Sequence, residues 1–287
     1  MIPNHYYRII KYSIFLLSFS FLFSKSYSPM QLDLSENLIH DNNEREYFVL
    51  YNSSLNYEIE GPIRLEIISR RAIPQQSKRK YEFGYKISLN DSKPIEVKHK
   101  KYKKENLFSD QHPGHGYTQS GNAIVNLPNG NHSLNIIPLY EGKPTLVRII
   151  KEVYKKSKGI TESITPQSKN NDSIIMDDFI IKDSKRKYFK LQDDQTLFLM
   201  SSENESFSIY GRTNKYSKLV ENNYYQFEVL EGERQKNIII DFFKNESNIQ
   251  KQKIYQLKSN KNSELSFNLL DSNVPVYLRI IKNTPYE

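Results

Sequence analysis

Asp110-Gln111-His112-Pro113-Gly114-His115-Gly116-Tyr117 is the stretch in which residue types and spacing come closest to metal chemistry. Two imidazoles and the Asp110 carboxylate are ordinary ligands for Zn²⁺ or Cu²⁺, and the Pro113-Gly114 turn lets His112 and His115 face one point. A polar loop with no metal is the competing reading, because nothing in the sequence fixes the ligand geometry.

A second constellation is electrostatic. Lys98, Lys100, Lys101, Lys103 and Lys104 form the densest basic run, and Arg70-Arg71 and Lys78-Arg79-Lys80 add to it. Together they suit an acidic polysaccharide, an anionic headgroup or an acidic protein. Lysines at a sheet margin also serve simply to block edge-to-edge pairing. Arg70 and Arg212 occupy matching strand ends, and Arg148 and Arg279 lie in matching final strands. A role in cross-strand contacts explains that recurrence better than a ligand site does.

The chain has no G-x-S-x-G elbow, no H-E-x-x-H, no phosphate-binding glycine loop and only 10 glycines. The adjacent pairs Asp177-Asp178 and Asp193-Asp194 would point to opposite faces of an extended strand, which is unsuited to acid and base work. A non-enzymatic protein without a cofactor is the expectation. Cysteine is absent, so thiolate metal sites, redox chemistry and disulfides are excluded and the core must close by packing.

The elements that hold these residues occur twice. Arg45-Glu46-Tyr47-Phe48-Val49-Leu50 recurs as Arg186-Lys187-Tyr188-Phe189-Lys190-Leu191, and Val147-Arg148-Ile149-Ile150-Lys151 as Leu278-Arg279-Ile280-Ile281-Lys282. Phe83, Tyr85 and Ile87 match Tyr225, Phe227 and Val229. The offset is 141 at the first of these strands and 131 at the last, which places about ten additional residues in the first copy, between Tyr102 and Gly121. Strict alternation in Tyr81–Leu89 marks a strand with one buried face. Turn chemistry at Gly61-Pro62, Asn90-Asp91, Asn129-Gly130 and Glu141-Gly142 separates such runs, with Asn129-Gly130 reading as a hairpin.

Eight short strands per copy and no ten-residue amphipathic helix predict an all-β chain. Its expected form is two tandem antiparallel β-sandwich domains, immunoglobulin-like or jelly-roll, arising from an internal duplication. The expected boundaries are a signal peptide over 1–29, domain 1 over 30–154, a polar linker over 155–177 and domain 2 over 178–287. Arg8 and Lys11 precede the apolar run Tyr12–Phe23, the layout of a secretory leader. That run is too short to span a bilayer, and no later one is longer. The linker composition predicts relative domain motion unless the sandwiches share a large apolar interface.

The net charge of +8 falls to +5 once Arg8, Lys11 and Lys25 leave with the leader. Acidic residues interleave with the remaining basic ones, which argues against nucleic acid. Tyrosine (21) and phenylalanine (15) are abundant and tryptophan is absent, a balance that suits protein contacts slightly better than sugar platforms. The expectation is therefore an exported protein, periplasmic or at the cell surface, acting through contacts with other envelope proteins. Binding of an acidic glycan is the first alternative and metal binding the second.

Overall fold

Alternating apolar residues make strands in both halves of the chain. The computed structural model describes residues 26–285 except 32–33, 153–158, 171–172, 182–183, 214–222, 233–234, 244–251 and 260–261, and every regular element among them is a strand. The first half supplies β1 (Ser26–Tyr27), β2 (Ser35–His40), β3 (Asn43–Leu50), β4 (Leu55–Pro74) and β5 (Tyr81–Leu89). It continues with β6 (Ile95–Lys101), β7 (Leu107–Phe108), β8 (His115–Tyr117), β9 (Gly121–Pro138) and β10 (Thr145–Lys151). The second half supplies β11 (Gly159–Ile164), β12 (Gln167–Ser168), β13 (Met176–Ile181), β14 (Ser184–Leu191), β15 (Leu197–Ser201) and β16 (Ser206–Thr213). It ends with β17 (Asn223–Glu231), β18 (Gln235–Phe243), β19 (Gln252–Lys258), β20 (Ser263–Ser272) and β21 (Val276–Pro285).

In the first half, β3, β10, the end of β4 and the start of β9 form one layer. The start of β4, the end of β9, β5 and β6 form the other. Leu55, Tyr57, Leu65, Ile67, Tyr85, Ile87, Val97, Val125, Ile136, Val147 and Ile149 fill the space between them. Two expected turns are corrected here. Gly61-Pro62 and Pro128-Asn129-Gly130 lie opposite each other inside the long strands β4 and β9, where the register shifts by one residue. Falling at the same point of both strands, they bend a two-stranded ribbon from one layer into the other instead of reversing the chain. A Cβ on Gly61 would sit 1.9 Å from the Pro128 carbonyl oxygen, so the bend requires glycine there.

The second half repeats the register. Val147 pairs with Phe48 and Ser69, and Leu278 with Phe189 and Gly211. Ser69 meets Gly121 as Gly211 meets Gln252, and Phe83 meets His99 as Tyr225 meets Asp241. The ribbon that bends in the first half is cut in the second: β15 and β16 stand for β4, and β19 and β20 for β9. Phe189, Leu191, Phe207, Ile209, Phe227, Val229, Phe267 and Leu278 are among the residues of the second core.

Two boundaries move. Residues 155–177 are not merely a linker: β11 pairs with β21, β12 with β15, and Ile164 and Ile174 pack on the second core. A polar segment can do this because pairing onto an existing edge uses its backbone, and two isoleucines supply the anchorage. Ser26 and Tyr27, assigned to the leader, pair with Ile150 and Ile149, and Tyr27 packs on the first core. Residues 1–25, which hold the basic and apolar parts of the expected leader, lie outside the described residues.

The halves are joined edge to edge. β18 runs parallel to the first part of β9, from Asn237 opposite Asn122 to Asp241 opposite Asn126, and makes one 15-stranded sheet across both halves. Alternation along β18 sends Ile238, Ile240 and Phe242 into the first core and Ile239 into the second. Alternation along β9 sends Ala123 and Val125 into the first core and Ile124 into the second. Each core is thus completed by the other half, and this is the shared apolar interface that overrides independent domain motion.

One face of this seam is polar. Arg64 Nε lies 2.9 Å from Glu152 Oε2 and 3.0 Å from Asn126 Oδ1, and Asn122 Nδ2 donates to Glu66 Oε1 at 3.0 Å. Asp241 is 3% exposed beside them. Burial pushes its carboxyl up to about 7, against the pull of a hydrogen bond with Tyr225 and the Arg64 charge. Burial raises Glu66 and Glu152 as well.

Two outcomes follow from the seam. Asp241 ionises near 3.8 in the unfolded chain and near 7 in the folded one, so its contribution to stability is complete below pH 3.8 and lost as pH rises through 7. Urea midpoints should therefore fall from pH 5 to pH 8, and Asp241→Asn should flatten that slope. Ile240→Ala should cost about 2–5 kcal/mol in urea unfolding, with intrinsic fluorescence and far-UV circular dichroism shifting together because the residue serves both halves.

Candidate functional site

The additional residues of the first half fold back onto the outer face of their own sandwich. Leu107 and Tyr117 join Leu38, Tyr47 and Leu146 in a third apolar cluster. Backbone bonds from Lys104 to Tyr117, Thr118 to Arg71 and Gln119 to Tyr102 tie the segment at 2.8–3.0 Å. The free polar loop of the sequence reading is thus an anchored one. Its anchor is Glu36, 4% exposed, which accepts a short hydrogen bond from the Tyr117 hydroxyl and lies 2.8 Å from His112 Nδ1. Burial and the neighbouring carboxylate hold the Tyr117 hydroxyl far above its ordinary pKa.

His112 and His115 do come together, with ring centroids 5.4 Å apart and planes 19° from parallel. Glu36 takes the near nitrogen of His112. Among the described residues no three of His, Asp and Glu, Asp110 included, are grouped to hold a metal ion. Nothing local in the sequence joins Glu36 to His112, 76 residues away. The missed signal was Asp41-Asn42, whose positive φ angles of 50° and 61° turn β2 into β3.

The basic run divides into two kinds of residue. Lys98 and Lys100 stand on the edge strand β6 and are neutralised, Lys98 by Glu96 at 2.6 Å and Lys100 by Glu82 at 2.8 Å. Their hydrogen-bonded partners hold both lysines above their ordinary pKa and the two glutamates below theirs. Lys101 pairs with Tyr81 in the same ladder, and Lys104 is half-buried. Arg70 leaves the patch altogether: its Nε donates to the Tyr47 hydroxyl at 3.3 Å and its Nη1 to the Thr118 carbonyl at 2.7 Å. Arg212 repeats the first contact on Tyr188 at 3.1 Å, so this pair belongs to the shared fold.

Three of the remaining cations are arranged on aromatic rings. The Arg71 and Arg79 guanidinium carbons lie 5.4 Å and 4.8 Å from the Tyr81 ring centre, and Lys80 Nζ lies 5.0 Å from that of Tyr102. Arg71 also donates to the Glu82 carbonyl and Lys103 to the Gln75 carbonyl, each at 2.7 Å. Hydrogen bonding from Ser77 and the Arg79 charge lower the Tyr81 hydroxyl. Among the described residues none of Arg71, Arg79, Lys80 and Lys103 has a carboxylate partner. The sequence placed Arg71, Arg79, Lys80 and Lys103 in the patch but gave no sign that tyrosines would order it.

Elsewhere several charged groups are paired. Asp178 pairs with Lys185 across a hairpin at 2.7 Å. Arg279 donates to Ser163 at 3.4 Å, and burial lowers the pKa of Arg148 beside Tyr47 and Glu66. A groove of about 570 Å³ beside Gln167 and Phe198 carries Lys169 and Glu264, themselves paired at 2.6 Å. No helix among the described residues is long and apolar enough to cross a membrane.

No protein-family model matches the sequence, and no curated protein matches it. Several solved structures are loosely similar. The N-terminal CBM22-1-CBM22-2 tandem domain of Paenibacillus barcinonensis Xyn10C shares 7% identity over 91% of this chain and 97% of its own, with a TM-score of 0.30. The plant receptor-like kinase FER shares 9% over 91% of this chain and 87% of its own, with a TM-score of 0.21. AerE from Microcystis aeruginosa shares 10% over 91% of this chain and all of its own, with a TM-score of 0.18. Superpositions this loose leave the function to be argued from the residues themselves.

Proposed function

We propose that this chain is an exported, non-enzymatic protein that works by contact, as a scaffold, adhesion or assembly subunit of the cell envelope. The observation that carries the reading is the seam. A ladder and two shared cores hold the sandwiches in one orientation, so surfaces on both halves keep a set spacing. Function by presentation needs that property more than it needs a cleft. The unmatched cations on Tyr81 and Tyr102 favour a partner with negative charge.

Size-exclusion chromatography of gently lysed source cells, followed by mass spectrometry of co-eluting proteins, tests this reading. The expected result is elution in a high-mass assembly with a reproducible set of partners. Elution alone at monomer size, unchanged by prior chemical cross-linking, would contradict it.

A further inference from the structure

We infer that the surface made by Arg71, Arg79, Lys80 and Lys103 over Tyr81 and Tyr102 binds a linear acidic polysaccharide. The inference rests on the contact reading above and names a partner class for it.

The first support is uncompensated charge in an ordered setting. Two guanidinium groups share the Tyr81 ring, at 5.4 Å and 4.8 Å, and neither has a carboxylate partner among the described residues. Like charges gathered on one ring repel, and a bound anion lowers that cost. The cations are also held in place. Arg71 and Lys103 are tied to the Glu82 and Gln75 carbonyls, so less side-chain freedom is lost when a ligand arrives.

The second support is that the surface is built, and that two of the residues building it are replaced in the second half. Gly116, carried by the additional segment, leaves room for Gln75 and Lys103 to cross: a Cβ there would meet their side chains at 3.1 Å and 3.2 Å. Where β4 and β5 offer Arg71 and Tyr81, the equivalent positions of the second half are Thr213 and Asn223. The contact between Arg70 and Tyr47, by contrast, recurs as Arg212 on Tyr188. That packing contact is common to the halves, whereas Arg71 and Tyr81 are replaced.

The third support is its form. The cations are distributed over two rings and two carbonyls instead of converging on one point, which suits repeated carboxylates or sulfates along a polymer better than one small anion. Guanidinium forks match those oxyanions, and Tyr102, 48% exposed, offers a ring on which the C–H face of a pyranose can stack. Lys98 and Lys100, already neutralised on their edge strand, take no part.

The test uses the full chain on immobilised heparin and polygalacturonate, with dextran, polyglutamate and phosphatidylglycerol vesicles as comparison surfaces. The expected result is salt-sensitive binding to an acidic polysaccharide and none to dextran. Arg79→Gln with Lys80→Gln should weaken it by at least about tenfold, and Lys98→Gln with Lys100→Gln should change it less than about twofold. The first pair leaves the Arg71 and Lys103 backbone ties intact, and circular dichroism checks that it folds. Equal losses from both pairs, or no binding to either polysaccharide, would overturn the inference. Tighter binding to polyglutamate or vesicles would overturn it too while leaving the contact reading standing, since assembly in source cells is a separate readout.

Discussion

The parallel ladder between β9 and β18 is the constraint on which the other features depend. Each half alone would leave a sheet edge open and a row of apolar side chains facing water, and edges of that kind recruit other chains. Here the two edges meet inside one molecule. Ile238, Ile240 and Phe242 close the first core while Ile124 and Ile239 contribute to the second, so neither core is complete without the other half. The polar face of the same seam buries Arg64, Asn126 and Asp241, which adds geometric demand where apolar packing alone would tolerate slippage.

The same constraint explains why the pairing occurs once. β6 holds in the first half the position that β18 holds in the second. Where β18 carries Ile238, Ile240 and Phe242, β6 carries Glu96, Lys98 and Lys100. Those charges face solvent with Glu82 among their partners, and burying them against another sandwich would leave ions without water. The lysine-rich run that first resembles a ligand patch is therefore partly an edge guard, as edge lysines commonly are.

Much of this was legible in the residues. The strand ends around Tyr47 and Tyr188, and the alternation in Tyr81–Leu89, give the paired registers almost position by position, because one slip would turn every side chain over. What misled was local chemistry read without its partner strand. Gly61-Pro62 and Asn129-Gly130 look like reversals, and only their placement opposite one another shows a bent ribbon. The segment from 155 to 177 looked unfoldable because its composition says nothing about an edge awaiting a strand. Site residues were harder still. His112 and His115 were visible as a pair, but Glu36, 76 residues away from His112, could be joined to them only by the fold. Arg70 and Arg71 are neighbours in sequence and opposites in use, one tied to the tyrosine contact that both halves share and the other placed on Tyr81 where the second half has Thr213 and Asn223.

Native-state hydrogen exchange at the seam tests the central claim most directly. If the ladder makes one cooperative body, the amides of Ile238, Ile239 and Ile240 exchange only through global unfolding, at the rate of the Leu65 and Phe227 amides deep in the two sandwiches. Seam amides that exchange far faster than both, through an opening that leaves the two sandwiches protected, would contradict it and return the molecule to two independent domains.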